Sequence, residues 1–551
     1  MGHPFARIFS KEEIKSINGL SKSGVPPRQI ITSLRQKNPN SQVLARDIYN
    51  MRRKIVQDSL DGRSLIQVLF DELGNAGFIF DVKQDEQGHL THVFFSHPTS
   101  IRLSKSYSNV FVMDCTYKTN RYKMPLLEII GITSFNTSFY SCFAFLRREG
   151  HEDCEWALGV FKKILGHDFQ PSVIVTDREL ALMKAIKVIF PKASNVLCVW
   201  HIQKNILANC KSYFRQTEDW AAFLADWISL VYSSTEEAFE KAWHEIQLSY
   251  KEKTAVLSYI QKTWLPYKEY FVDAWTEKLL HFGNRATLRA EGAHSKLKKY
   301  LMVSTGDIRT VKQKMCILLE NDFQEMKGQM LREKNKILHK CNIPFFKEVV
   351  TRVSFFALEQ LEKQFEMMKD DKMQPTCNGT FMATMGLPCA HMMNAWKEKV
   401  LPLESIHSQW RIDTRAYLFP ENGVSNSEYP LEVILIDLQE RYQQWPLVEK
   451  EYAQEKLSQL LNRSSSLNFE PTIQHGKGRP STRRKRKTLN STTRDPSQFE
   501  NMEASLRRKT QQDVAEDGQA SEIEITILVQ DSLLFDESRS NDLLDLNPMP
   551  S

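Results

Sequence analysis

FVMDCTYKTN (residues 111–120), SVIVTDRELALMKAI (172–186) and NVLCVWHIQKN (195–205) are the stretches whose reading decides the fold. In the first two, a short apolar run ends on an acid: Val110 to Met113 before Asp114, and Val173 to Val175 before Asp177. Short runs of branched residues between polar ones predict strands buried on both faces. A carboxylate at the exit of such a strand is costly to desolvate unless a cation meets it. Taken alone, Asp177 equally suits the N-cap of the helix predicted over residues 178–190. Two such acids in this order of elements point to a bound metal.

Outward from there, MPLLEIIGIT and SFYSCFAFLRR predict two more strands joined by SFNT. A helix over 152–165, the strand ending at Asp177, a second helix and the strand NVLCVWH follow. Three antiparallel strands, then helix–strand–helix–strand, is the order of the ribonuclease H-like fold. The first and fourth strands of that fold are central neighbours, which brings the two acids together. Upstream, residues 63–108 read as a connecting stretch with a helix (64–73) and two strand-like pieces, GFIFDVKQ and THVFFSH. Residues 10–60 predict three helices, Lys11–Lys22, Pro27–Lys37 and 42–57, separated by SKSGVPP and NPNS. Three short helices ending in ARDIYNMRRKI are compatible with a helix-turn-helix DNA binder. No cysteine precedes Cys115, which excludes a Cys-based zinc finger at this end.

Downstream, residues 202–280 are helical in pattern, with Trp220, Trp227, Trp243, Trp264 and Trp275 as apolar anchors. STEEAFEKAWHEI opens on a capping-box pattern, Ser234 with Glu237. Then comes RATLRAEGAHSKLKKYL (285–301), whose helical projection has two stripes. Ala286, Ala290, Ala293, Leu297, Tyr300 and Leu301 make the apolar one. Arg285, Arg289, Lys296 and Lys299 make a basic one suited to a phosphate backbone. Glu291 belongs to neither: it is either a solvated glutamate or a third carboxylate on a helix docked to the sheet. After more helix to about residue 369, Cys377, Cys389 and His391 stand in the pattern C-x11-C-x-H. Thiolates and an imidazole suit Zn²⁺, and a structural site wants four ligands. His407 is the nearest downstream candidate for the fourth.

The chain has 551 residues, 41% of them hydrophobic, enough for two or three domains with real cores. A net charge of +6 allows a nucleic-acid partner without demanding one. The nine cysteines are scattered, no signal peptide opens the chain and no apolar run nears 18 residues. An intracellular protein with reduced thiols and no membrane span is expected. From 463 to 510 there are twelve Lys/Arg against four acids; from 511 to 551, one Arg against ten acids. That reversal predicts a disordered tail, basic then acidic. KGRPSTRRKRK (477–487), with Arg479, Arg483, Arg484 and Lys485, suits nuclear import or a minor-groove arm.

DCTYKTNRYKMPLLEIIGI, VIVTDRELALMKAI, CVWHIQKN and RAEGAHSKLKKYL together resemble the MULE (Mutator-like element) transposase domain. CNGTFMATMGLPCAH resembles the SWIM-type zinc finger that commonly follows it. The resemblance spans roughly residues 60–410. It implies an α/β, ribonuclease H-like mixed sheet over 61–310 with a helical insertion at about 202–280. Around it stand an N-terminal helical region (1–60), a helical connector (311–370), a zinc-binding module (371–410), a helical segment (411–462) and the tail (463–551). Asp114, Asp177 and Glu291 then take the DDE positions, and Cys198 with His201 matches the family's C-x2-H motif.

The implied chemistry is cleavage of a phosphodiester by water and attack of the freed 3′-hydroxyl on target DNA. Two Mg²⁺ (or Mn²⁺) ions about 3.5–4 Å apart serve such in-line displacements. Asp114 would bridge both ions, with Asp177 and Glu291 holding one each. Double-stranded DNA (terminal inverted repeats and target), a homo-oligomer and the nucleus are the implied partners and place. Two departures stand out. Gly379 occupies the position where the SWIM pattern has a second cysteine, and the upstream Cys/His finger of relatives is missing. The alternative is a transposase-derived transcription regulator resembling the plant FAR-RED IMPAIRED RESPONSE group, with ILVQDSLLF and DLLDL in the acidic tail as an activation segment.

Overall fold

The computed structural model describes residues 9–418, apart from 23, 40, 370–376 and 398, and then 442, 450 and 469–473. Three helices come first: α1 (Lys11–Lys22), α2 (Pro27–Lys37) and α3 (Ala45–Leu60). Pro27 stands in the first turn of α2, where its missing N–H leaves no bond unmade. Ile17, Ile30, Ile31, Leu34, Val43 and Ile48 give these helices a small core of their own. The third helix starts later than expected because Asp47 caps it by accepting from the Leu44 N–H at 2.9 Å.

α4 (Leu65–Asn75) is opened by Ser64 and Gln67, each accepting from the other's main-chain N–H. The elements β1 (Ile79–Gln84), β2 (Leu90–Ser96), α5 (Pro98–Ser106), β3 (Val110–Thr116), β4 (Leu126–Ile132) and β5 (Ser138–Phe145) follow. Next are α6 (His151–Leu165), β6 (Val173–Thr176), α7 (Leu180–Ile189) and β7 (Ser194–Leu197). The strands form one mixed sheet in the order β1-β2-β5-β4-β3-β6-β7. β3 and β6 are parallel neighbours, with Val112 opposite Val175, so their ends carry Asp114 and Asp177 side by side. β1 and β2, expected as a separate connecting stretch, extend this same sheet through β5.

NVLCVWH is not strand throughout. β7 stops at Leu197 and α8 (Val199–Cys210) begins at once. Val199, Ile202, Gln203, Ile206 and Cys210 are buried at helical spacing, and so short an apolar run does not distinguish the two periods. α9 (Thr217–Val231), α10 (Glu236–Ser249), α11 (Thr254–Thr263) and α12 (Asp273–Thr276) complete the helical block. Thr235, not Ser234, caps α10 by accepting from the Ala238 N–H. Trp220, Trp227, Trp243 and Trp264 are buried in the block.

Side chains alternate across the sheet. Phe111, Met113, Leu127 and Ile129 point to one face, against α6 and α7. Val110, Val112, Leu126 and Ile130 point to the other, where α13 (Leu288–Leu301) and α14 (Ile308–Asn335) lie. By the same parity Asp114 of β3 and Glu128 of β4, paired across the strands, face α13. α15 (Phe355–Lys369), α16 (Thr380–Met385) and α17 (Ala390–Asn394) close this side, and one core runs from Ile66 to Trp410 and Leu418.

Residues 1–477 form one compact unit and 478–551 a second. Arg479, Arg483, Arg484 and Lys485 lie outside the described residues, as does nearly all of the region expected as disordered tail. Its described part, 469–473, is not free chain. The Phe469 N–H donates to Gly88 O at 3.0 Å and the Leu90 N–H to Phe469 O at 3.1 Å. Glu470 pairs with Arg121 at 2.6 Å. No helix among the described residues is long and apolar enough to cross a membrane.

Candidate functional site

The strand ends and α13 meet at one edge of the sheet. Asp114 is delivered there by β3 and Asp177 by the residue after β6. Glu291 sits in the first turn of α13, which packs on β3, β4 and β5. Burial first, then the charge of Asp177, pushes the Asp114 carboxyl up to about 7, and Glu291 adds to the push. Burial raises Asp177 as well. Asp114 therefore lies close enough to Asp177 and Glu291 to feel the charge of each.

A second layer of residues holds them. His201, in the first turn of α8, reaches Glu291 Oε1 through Nε2 at 3.1 Å. Its Nδ1 meets Thr287 Oγ1, at the start of α13, at 2.9 Å. Burial opposes a charge on His201, but hydrogen bonds to Cys198 and Glu291 outweigh it and push the imidazole up to about 10. Burial likewise opposes the Cys198 thiolate, and His201 and Thr287 together hold its pKa below the usual value. The C-x2-H pair is thus a clasp between α8 and the helix that carries Glu291.

On the other side, His294 Nδ1 is 3.8 Å from Asp114 Oδ2 and its Nε2 is 3.5 Å from Glu128 Oε2. The second contact lacks hydrogen-bond alignment, so Glu128, fully buried, has no partner for either oxygen. Burial, then Asp114, raises the Glu128 carboxyl far above its usual range. Burial, then Lys298, lowers the His294 imidazole to about 4. Both lie within stretches quoted above, LLEIIGI and RAEGAHSKLKKYL, but neither was singled out there as a site residue. The signal is a lone charge inside the apolar run LLEIIGI, which a continuous buried strand does not otherwise tolerate.

The four-residue basic stripe does not exist as an open face. Arg285 is consumed by Asp273 and by Glu277, the latter at 2.6 Å, and its side chain is 17% exposed. Arg289 donates to Asn136 O at 2.8 Å and to Asn136 Oδ1 at 2.6 Å, clamping the β4–β5 turn. Lys296 reaches Asp322 Oδ1 at 2.6 Å. Lys299 does face the site: with Lys298, Ser295, His294 and Glu291 it lines an open cleft of about 510 Å³.

Oxygen donors from three carboxylates, one of them pushed to about 7 by burial and its neighbours, suit hard divalent cations whose charge offsets the repulsion. Among the described residues, however, the one group of three such side chains with ligand atoms all within 4.8 Å is Cys377, Cys389 and His391. The three acids do not form such a group. Cys377 Sγ and Cys389 Sγ are 3.5 Å apart, fitting two thiolates on one zinc.

His407 lies outside that group. Its Nδ1 accepts from the Gln409 N–H at 3.1 Å, and its ring packs on Phe282. Gly379, where the pattern has a second cysteine, adopts φ +73°, a left-handed conformation that disfavours any side chain.

Residues 110–205 match the family described as the MULE transposase domain, a span that includes Asp114, Asp177, Cys198 and His201 and stops short of Glu291. FAR1-RELATED SEQUENCE 5 of Arabidopsis thaliana is 26% identical over 243 residues, 43% of this chain and 30% of that protein. FAR1-RELATED SEQUENCE 11 of the same plant is 22% identical over 382 residues, 66% and 53% respectively. The PKS-NRPS hybrid synthetase cheA of Chaetomium globosum is 23% identical over 467 residues, 74% of this chain but 10% of that protein. The chain spans from a tenth to about half the length of these relatives. Residues 110–205 thus match the MULE transposase domain, and the chain as a whole is similar to FAR1-related proteins.

Proposed function

We propose that this protein is a DDE-type DNA transposase on a ribonuclease H-like sheet, cleaving element ends and joining them to target DNA in the nucleus. The observation that carries the reading is the meeting of Asp114, Asp177 and Glu291 at one sheet edge, beside an open cleft with two lysines. Asp114, Asp177 and Glu291 are the residues that would hold two Mg²⁺ or Mn²⁺ ions. When bound, the ions supply an activated attacking oxygen and charge stabilisation at the leaving oxygen.

The chain's own residues do the rest. His201 fixes the Glu291 carboxylate and is itself fixed by Thr287. His294 keeps Asp114 apart from Glu128, and the Cys115 N–H holds Asp114 Oδ1 at 2.8 Å. Lys298 and Lys299 offer the DNA backbone two charges at the mouth of the cleft. Arg46, Tyr49, Asn50 and Arg53 are exposed at helical spacing on α3, a face that suits reading of terminal repeats in a major groove. Cys377, Cys389 and His391 would hold a structural Zn²⁺. By analogy with enzymes that synapse two DNA ends, the working form is a homo-oligomer.

Mg²⁺-dependent nicking of a terminal-repeat duplex tests the reading. Glu291→Gln keeps shape and removes the charge, and is expected to lose at least about 100-fold in rate, an electrostatic contribution of the usual size. Nicking at the wild-type rate by the variant refutes the assignment. A second reading, a DNA-binding regulator without catalysis, is favoured by the FAR1-related relatives. Its signature is tight repeat binding by a wild-type protein that nicks nothing.

A further inference from the structure

Arg178 directly follows Asp177, yet among the described residues its guanidinium makes no ion pair or hydrogen bond, and its Nε is buried without a partner. It is held instead by aromatic faces of the helical block. The guanidinium carbon is 5.4 Å from the Trp264 ring centroid and 4.9 Å from that of Tyr267. Trp264 is buried and ends α11, while Tyr267 lies in the short turn Leu265–Tyr270 that packs on β7. A cation stacked this way is fixed in direction before any anion arrives.

It lines a cavity of about 170 Å³ whose walls also include Asp177, Asn205, Tyr259, Thr263 and Trp264. The Tyr259 hydroxyl already accepts from Asn209 Nδ2 at 3.2 Å and from Trp264 Nε1 at 3.3 Å, so its own proton is left to donate. Thr263 adds a second hydroxyl. A fixed guanidinium with two hydroxyl donors is a phosphate site, and it shares Asp177 with the acid cluster.

We propose that this pocket binds a backbone phosphate of the DNA strand next to the scissile one, with Arg178 as its principal ligand and Tyr259 and Thr263 as supporting donors. The helical block would then act on the substrate directly, by stacking the arginine that holds it. This rests on the DNA-processing reading above, but its test does not depend on cleavage.

The full chain is titrated with a fluorescein-labelled duplex of arbitrary sequence in Ca²⁺, over a series of salt concentrations, and melted to confirm folding. Arg178→Gln should flatten the slope of log K against log salt by about 0.9, the share of one neutralised phosphate. It should also weaken binding on the order of ten-fold, as for loss of a charged hydrogen bond. Thr263→Val should weaken binding severalfold at unchanged slope, and remains informative if the Gln variant does not fold.

An unchanged slope in a folded Arg178→Gln protein overturns the proposal, even if affinity falls, because the contact is then to a base rather than a phosphate. Unchanged binding by Thr263→Val overturns the assigned pocket. Nicking that survives in Asp177→Asn would sink the two-metal reading instead, leaving the binding result to be judged alone.

Discussion

Asp114 and Glu128 face each other across two strands, with one neutral imidazole between them. Burial, and then the charge of Asp177, make the fold bind a proton at Asp114 that the unfolded chain releases. With the folded value about 7 and the ordinary one 3.8, the stabilisation is complete below about 4 and gone above about 7. In metal-free solution, Asp114→Asn should be the more stable protein at pH 8, by up to about 4 kcal/mol, and should lose that advantage at pH 4. Denaturant melts at the two pH values check this; a difference independent of pH contradicts the placement. Asp114 and Asp177 were legible in the sequence because a charge after a buried run is locally anomalous. Glu128 carried the same anomaly inside its run, but its meaning depends on His294, 166 positions later in the chain. Only the fold brings that partner into contact.

Helix α13 does two jobs, and its cations belong mostly to the first. Arg285 ties its entry to α12, Arg289 ties it to the β4–β5 turn, and Lys296 ties it to α14. Arg285→Ala should destabilise the protein by about 3–5 kcal/mol, because two buried acids lose their counter-charge together. Its effect on the salt dependence of DNA binding should be nil, and the opposite pattern would restore it to the DNA face. Periodicity located this helix within three residues. It did not reveal which basic residues were spoken for, since Asn136 and Asp322 lie far along the chain. Element order, by contrast, was enough to place β3 beside β6, because it matched the ribonuclease H-like order, but it did not show that β1 and β2 extend the same sheet. The early end of β7 was not readable, because five apolar residues satisfy both periods.

At the scale of the molecule, the segment bearing Cys377, Cys389 and His391 is not a bead on a string. Leu387, Ala390 and Met393 belong to the same apolar core as Val112 of β3 and Leu297 of α13. Removing the proposed zinc should therefore lower the melting temperature of the whole unit. Chelation is expected to shift the cooperative transition by several degrees, and Cys389→Ser to melt at the chelated value and ignore the chelator. A separate early transition, with the main one unmoved, would show the segment to be independent.

The three acids stand at positions 114, 177 and 291, and the last lies on a helix that follows the helical block in the chain. A ribosome-bound or truncated polypeptide lacking that helix holds two carboxylates, no clasp from His201 and no lysine-rimmed mouth. Any chemistry that needs all three acids is thereby reserved for a chain made through α13, a consequence of nothing more than the order in which the chain is written.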